Sequence, residues 1–135
     1  MPDRGSWNDP PSQPHVLMVE DDAALLQTLV HTLMTYLPTV KVTAVRGVEQ
    51  AWRTLEEGHV SLLVTDLHLP GIHGRSFIQR LRERGWRGPV IVMSGAPLEG
   101  GREVCDMLQI RAVLAKPIDM ASFLCTIAAA LDRGV

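Results

Sequence analysis

Along this chain, short unbroken apolar runs alternate with longer segments in which apolar residues recur every three or four positions. The first run, His15-Val-Leu-Met-Val19, stops at Glu20-Asp21-Asp22. Leu26, Leu29, Val30, Leu33, Met34 and Leu37 follow at helical spacing across Ala23 to Leu37, with Asp22 as N-cap and Pro38 as stop. A short apolar run followed by a helical pattern fits a strand buried on both faces of a parallel sheet. The pairing then repeats. Val40 to Val45 predicts a strand, and Val48 to Glu57 predicts a helix that turns Ala51, Trp52 and Leu55 inward and ends at Gly58. Val60 to Thr65 predicts a third strand, closed by Asp66. A loop from Leu67 to Gly74 leads to a helix over Arg75 to Arg84 through Phe77, Ile78 and Leu81. Val90 to Met93 predicts a strand ending at Ser94 and Gly95, followed by a helix over Leu98 to Ile110 through Val104, Met107 and Leu108. Ala112 to Ala115 predicts the last strand. Lys116-Pro117 comes next, and then a helix capped by Asp119 that runs to about Leu131.

Five strand-helix units in strict alternation predict one α/β domain over residues 15–132, a parallel sheet with helices on both faces and right-handed crossovers. Met1 to Pro14 holds four prolines, and this composition predicts a disordered lead-in over residues 1–14. Trp7 reads there as a stray aromatic in a tail. The 135 residues, 46% hydrophobic and 21% charged, fit a single globular core. A formal net charge of -2 provides no global field for nucleic acid or an anionic membrane. Cys105 and Cys125 read as reduced thiols. No stretch reaches the length of a membrane span, and the N-terminus lacks the apolar core of a secretory signal. The default compartment is the cytoplasm.

Chemistry gathers at one edge. In open α/β sheets, ligands sit beyond the carboxyl ends of the strands. Glu20, Asp21 and Asp22 follow the first strand, Asp66 the third, Ser94 the fourth and Lys116 the fifth. Clustered carboxylates repel, and a divalent cation relieves that repulsion. Hard carboxylate oxygens favour magnesium. Lys116 adds a point charge opposite the acids and can pair with Asp66. A carboxylate nucleophile beside a metal and a lysine is suited to phosphoryl transfer, with Ser94 as hydrogen-bond donor to an equatorial oxygen.

Val16-Leu-Met-Val-Glu-Asp-Asp22, Leu63-Val-Thr-Asp-Leu-His-Leu-Pro-Gly71 with Gly74, Val90-Ile-Val-Met-Ser-Gly95 and Val113-Leu-Ala-Lys-Pro117 together resemble the receiver domains of two-component response regulators. The resemblance covers about His15 to Leu131. It implies a flavodoxin-like five-stranded parallel sheet, order 2-1-3-4-5, with five helices. It implies Asp66 as phosphoacceptor and Asp21 as direct magnesium ligand, with Glu20 as the outer one. Asp66 itself and the backbone carbonyl of His68 complete the implied Mg2+ site. Lys116 matches the lysine that contacts the phosphoryl group, Pro117 a proline in a cis peptide, and Ser94 the switch hydroxyl. His68 and Ala96 fall where the family tunes the lifetime of the aspartyl phosphate. The implied partners are a histidine kinase or phosphotransfer protein and a downstream protein target, with no nucleic acid or membrane; self-association is left open. Catalysis would be confined to the chain's own phosphorylation and dephosphorylation. One departure stands out: family members usually carry Tyr or Phe three residues before the lysine, and here that residue is Val113.

Other readings weigh less. A phosphatase of the haloacid-dehalogenase type would carry Asp-x-Asp after its first strand, where this chain has Glu20-Asp21-Asp22. Val113 is the one feature favouring a degenerate receiver that binds partners without phosphorylation. His68 and His73 lack the third ligand of a transition-metal site. Arg75, Arg80, Arg82, Arg84 and Arg87 around Trp86 read as a solvated helix face rather than a nucleic-acid patch, and Met93 and Met107 read as core.

Overall fold

A computed structural model describes residues 7–9, 11–69, 72–98 and 100–132. Pro70 and Gly71 of the turn motif and residues 1–6 and 10 of the N-terminal stretch lie outside the described residues.

Five strands form one parallel sheet: β1 (His15–Val19), β2 (Lys41–Val45), β3 (Leu62–Asp66), β6 (Val90–Ser94) and β7 (Ile110–Ala115). Their order, β2-β1-β3-β6-β7, is the order 2-1-3-4-5 expected for the five main strands. A small antiparallel hairpin, β4 (His68–Leu69) with β5 (Ile72–His73), occupies the segment expected to be a plain loop. Helices α1 (Ala23–Tyr36), α2 (Val48–Glu57), α3 (Gly74–Glu83), α4 (Gly101–Leu108) and α5 (Met120–Asp132) complete the alternation.

The period-two geometry of strands divides the core. Val16, Met18, Leu62, Val64, Ile91 and Met93 face Leu29 and Leu33 of α1 and Phe123 and Ile127 of α5. Leu17, Val19, Leu63, Val90 and Val92 face α2, α3 and α4. Central strands β1, β3 and β6 are buried throughout, which explains why their sequences show no polar alternation. Asp22 caps α1 by accepting from the amides of Ala24 and Leu25. No helix among the described residues is long and apolar enough to cross a membrane.

Three local expectations need correction. Helix α4 is shorter than Leu98 to Ile110, because Gly100 (φ 85°) and Gln109 (φ 58°) take left-handed conformations that end it on both sides. Its inward face is Val104 and Leu108, so Met107 points out and is 67% exposed; Met34 of α1 is likewise exposed. The arginine run is not a uniformly solvated face. Arg82 turns inward and donates to the carbonyls of Leu108, Gln109, Trp86 and Gly88, tying the end of α3 to the end of α4. Burial, and then Arg87 nearby, lower its pKa to about 10. Trp86 lies fully buried beneath it.

The third correction concerns Trp7, read above as a stray aromatic. Trp7 is 2% exposed, in edge-to-face contact with Trp52, whose ring in turn meets Phe77. Asn8 fixes the approach: its Nδ2 donates to the Gly85 carbonyl at 2.9 Å and its Oδ1 accepts from the Arg87 amide at 2.7 Å. Gln13 donates to the Thr39 carbonyl, and the Pro14 carbonyl accepts from the Lys41 amide. Composition averages over a segment, whereas one indole with a polar clamp beside it can dock on its own. Trp7→Ala is expected to cost about 3–5 kcal/mol, the usual range for emptying a buried aromatic site. Urea unfolding followed by circular dichroism measures this, and a loss under about 1 kcal/mol would mean that the indole is not packed in solution.

Candidate functional site

The apolar strands deliver their terminal polar residues to the carboxyl edge of the sheet. Glu20 follows β1, Asp66 ends β3, Ser94 ends β6 and Lys116 follows β7. Parallel pairing in register brings these ends level: Asp66 lies opposite Met93, and Ser94 lies opposite Ala115. The Lys116 amide donates to the Ser94 carbonyl at 2.8 Å, and the Lys116–Pro117 peptide is cis.

Lys116 Nζ reaches Glu20 Oε1 at 2.5 Å and Asp66 Oδ2 at 2.9 Å. Glu20 is fully buried and Asp66 is 4% exposed. One carboxylate oxygen each from Glu20, Asp21 and Asp66 lies within 4.8 Å of the others. An all-oxygen anionic donor set fits a hard divalent cation such as magnesium and does not fit a soft one.

The charges respond to this crowding. Burial pushes the Glu20 carboxyl above the ordinary carboxylate range, against the pull of Lys116, and Asp66 beside it adds to the rise. Burial alone would also raise Asp66. The His68 amide, donating to Asp66 Oδ1 at 3.0 Å, and the Lys116 ammonium outweigh it and hold Asp66 below its ordinary value. Burial would lower Lys116, but its two carboxylate partners reverse this and raise it. Of these two carboxyls, Asp66 therefore keeps its charge more readily and Glu20 takes up a proton first.

Ser94 is buried at the same edge, but its hydroxyl is turned into its own loop. It donates to the Ala96 carbonyl at 2.6 Å and accepts from the Ala96 amide at 3.2 Å. An open cleft of about 460 Å³ runs beside it, bordered by Leu67, His68, Arg75, Ser76 and Pro97. Val113, 40% exposed on β7, faces outward.

Comparison with known proteins supplies the family. The sequence profile of the response regulator receiver domain matches residues 16–128. The chain belongs to the response regulator receiver family. The regulatory protein VirG of Agrobacterium tumefaciens is 33% identical over 118 residues, covering 87% of this chain and 43% of VirG. The transcriptional regulatory protein BasR of Escherichia coli K12 is 40% identical over 80 residues, covering 58% of this chain and 35% of BasR. The sensory/regulatory protein RpfC of Xanthomonas campestris is 34% identical over 92 residues, covering 65% of this chain and 13% of RpfC. The chain thus spans less than half of each of these relatives. In fold, it resembles the receiver domain of Francisella response regulator 1452 (TM-score 0.82, 20% identity, 90% of this chain and 99% of that one). It also resembles the chemotaxis response regulator CheY4 of Vibrio cholerae (TM-score 0.77, 18% identity, 89% and 100%).

Two contributors to this receiver's site escaped the sequence reading. Gly74 opens α3 against the backbone of Asp66, and a Cβ there would lie 2.4 Å from the Asp66 carbonyl oxygen. Its place in the motif was visible, but the contact that requires it was not. Arg46 follows β2 and donates from Nε and Nη2 to the Asp21 carbonyl, at 3.1 and 2.9 Å. The rule about strand ends points to it, once it is applied to the edge strand as well.

Gly74→Ala is expected to cost about 1–3 kcal/mol, because backbone rather than a pliable side chain must move. The amide signals of Asp66 and Leu67 should shift with it, and a variant of wild-type stability with unmoved signals would refute the contact. Lys116→Met leaves two buried acids without their cation. A fully buried pair would lose about 3–5 kcal/mol, and the partial exposure of Lys116 reduces this to roughly 1–3 kcal/mol at neutral pH. The sign of the pH dependence follows from the shifts. In the wild type, Asp66, lowered in the fold, stabilises above its ordinary 3.8 and stops doing so as pH falls through its folded value. Lys116, raised in the fold, stabilises below 10.5 and stops doing so as pH rises through its folded value. Glu20, raised above 4.5, opposes folding when charged. The deficit of Lys116→Met should therefore shrink as acidification towards pH 4.5 protonates Glu20. Urea midpoints at pH 7 and pH 5 test this, and a deficit independent of pH would show that charge is not its cause.

Proposed function

We propose that this receiver takes a phosphoryl group onto Asp66 in a magnesium-dependent reaction and signals by presenting a changed surface. The carrying observation is the geometry around Asp66: a nearly buried carboxylate held in its charged form by Lys116 and the His68 amide, beside two further acids. A nucleophile must be deprotonated, and the lowered pKa of Asp66 secures this at neutral pH.

The sequence reading assigns magnesium to Asp21, Asp66 and the His68 carbonyl, with Glu20 outside. The burial of Glu20 and its pairing with Lys116 support giving it the supporting place. Bound magnesium would add the positive charge that screens an incoming phosphoryl group from the acids. Asp66 offers an oxygen to phosphorus, and the donor's leaving group departs with the electron pair of the broken bond. Lys116 stays within reach of the new phosphoryl oxygens as Asp66 gives up its ionic partner oxygen. For Ser94 to donate to the phosphoryl group, its hydroxyl must leave the Ala96 carbonyl, so the loop after β6 registers the change. Phosphorylation then biases two arrangements of one fold. A histidine kinase or phosphotransfer protein supplies the phosphoryl group, a downstream protein reads the altered surface, and the reaction belongs in the cytoplasm.

Incubation with acetyl phosphate and magnesium, followed by intact-mass measurement, tests the proposal. The expected result is a gain of one phosphoryl group that requires magnesium and is absent in Asp66→Asn. An unmodified wild-type chain under these conditions would overturn the proposal and favour a binding module that works without phosphate, a reading in keeping with Val113 at the usual aromatic position.

A further inference from the structure

Asp21 carries the least constrained carboxylate of the acidic cluster. Glu20 is fixed by burial and by Lys116, and Asp66 by Lys116 and the His68 amide. Among the described residues Asp21 enters no ion pair. What holds it is its backbone. The fork of Arg46 closes on the Asp21 carbonyl with two donors, and the neighbouring Glu20 amide donates to the Val45 carbonyl at 3.1 Å. Arg46 is itself set by its amide, which donates to Gln50 Oε1 in the first turn of α2. The end of β2 thus clamps the turn after β1 from the side.

We infer that Arg46 is a positioning residue for the metal site: it fixes the backbone of the acidic turn and leaves the Asp21 carboxylate unpaired for the cation. This rests on the magnesium-dependent reading above. Arg46 is exposed and forms no ion pair among the described residues, so it does not compete with a cation for a carboxylate. A guanidinium beside a divalent site has two opposed effects. Its charge repels the cation, and its hydrogen bonds hold the ligand's backbone in place. Solvent and salt weaken the first at an exposed position, whereas the second is a short-range contact that salt screens little. Lysine cannot reproduce two donors converging from one planar group.

The test is a magnesium titration of the whole chain, followed by amide shifts of residues 20–22 and 66–68, for wild type, Arg46→Ala and Arg46→Lys. Amide hydrogen exchange at Asp21 and Asp22 is measured in parallel without metal. The expected result is magnesium affinity about threefold to fivefold weaker in Arg46→Ala, in line with losing a charge-assisted bond at an exposed site. Arg46→Lys should lie nearer to Arg46→Ala than to wild type, the ratios should persist at high salt, and exchange should quicken in both variants. Equal or tighter binding by Arg46→Ala would overturn the inference. So would wild-type binding by Arg46→Lys, because charge alone would then be enough. A wild-type chain that shows no saturable magnesium shift would overturn the magnesium reading itself, and with it the role of Arg46 towards a metal; the exchange measurement would then report on the clamp alone.

Discussion

Two buried carboxylates turned towards one ammonium group set the terms for this receiver. Burying a single charge without a partner costs several kcal/mol, and burying two like charges together costs more. Glu20 and Asp66 are almost fully enclosed, so Lys116 has to reach both, and its partial exposure leaves one side of the group open to solvent. An arrangement of this kind contributes little net stability. It makes the charge state of the pocket sensitive to anything that adds or removes charge there, which is the property that the proposed phosphorylation would use.

The fold supplies the required placement through its backbone. Parallel strands end level, so residues far apart in sequence meet at one edge without any side chain having to reach far. The close contacts then remove slack. Gly74 lets α3 begin against the Asp66 carbonyl, the His68 amide caps Asp66 from the following turn, and Arg46 secures the turn after β1. At the opposite edge Trp7 and the Asn8 clamp close the core beneath α2 and α3, and Arg82 ties α3 to α4. Apolar packing keeps the frame fixed so that the polar edge can respond alone.

The sequence showed the sheet plainly because β1, β3 and β6 are buried on both faces and must be continuously apolar. It showed the cluster of Glu20, Asp66 and Lys116 because each interrupts or ends such a run. The features that stayed hidden depend on direction or on distant partners. Arg82 lies among other arginines and differs from them only in facing the carbonyls of α4. Met107 sits one position from the buried Leu108, about 100° round the helix, and helical spacing cannot place it until the start of α4 is known. Trp7 sits in a segment whose prolines point to disorder, and only its contact with Trp52 and the bonds of the neighbouring Asn8 to Gly85 and Arg87 reveal its place.

Val113 bears on how a signal could leave the pocket. An aromatic ring at that position can occupy distinct inward and outward places, whereas valine is short and stiff about its one side-chain torsion. Here it is already partly exposed on β7. Under the proposed reading, a change at Asp66 therefore has to travel through the backbone. The Ser94 hydroxyl holds the Ala96 carbonyl, and the Ser94 carbonyl accepts from the Lys116 amide, so the ends of β6 and β7 are bonded to each other and to the loop that leads into α4. Gly100 and Gly101, both at positive φ, lie where that loop enters the helix, and residues without a Cβ can change backbone conformation there at the least steric cost. Under the same reading, rotation of the Ser94 hydroxyl away from the Ala96 carbonyl would release this bond, and α4, which begins at those glycines, is the element placed to move.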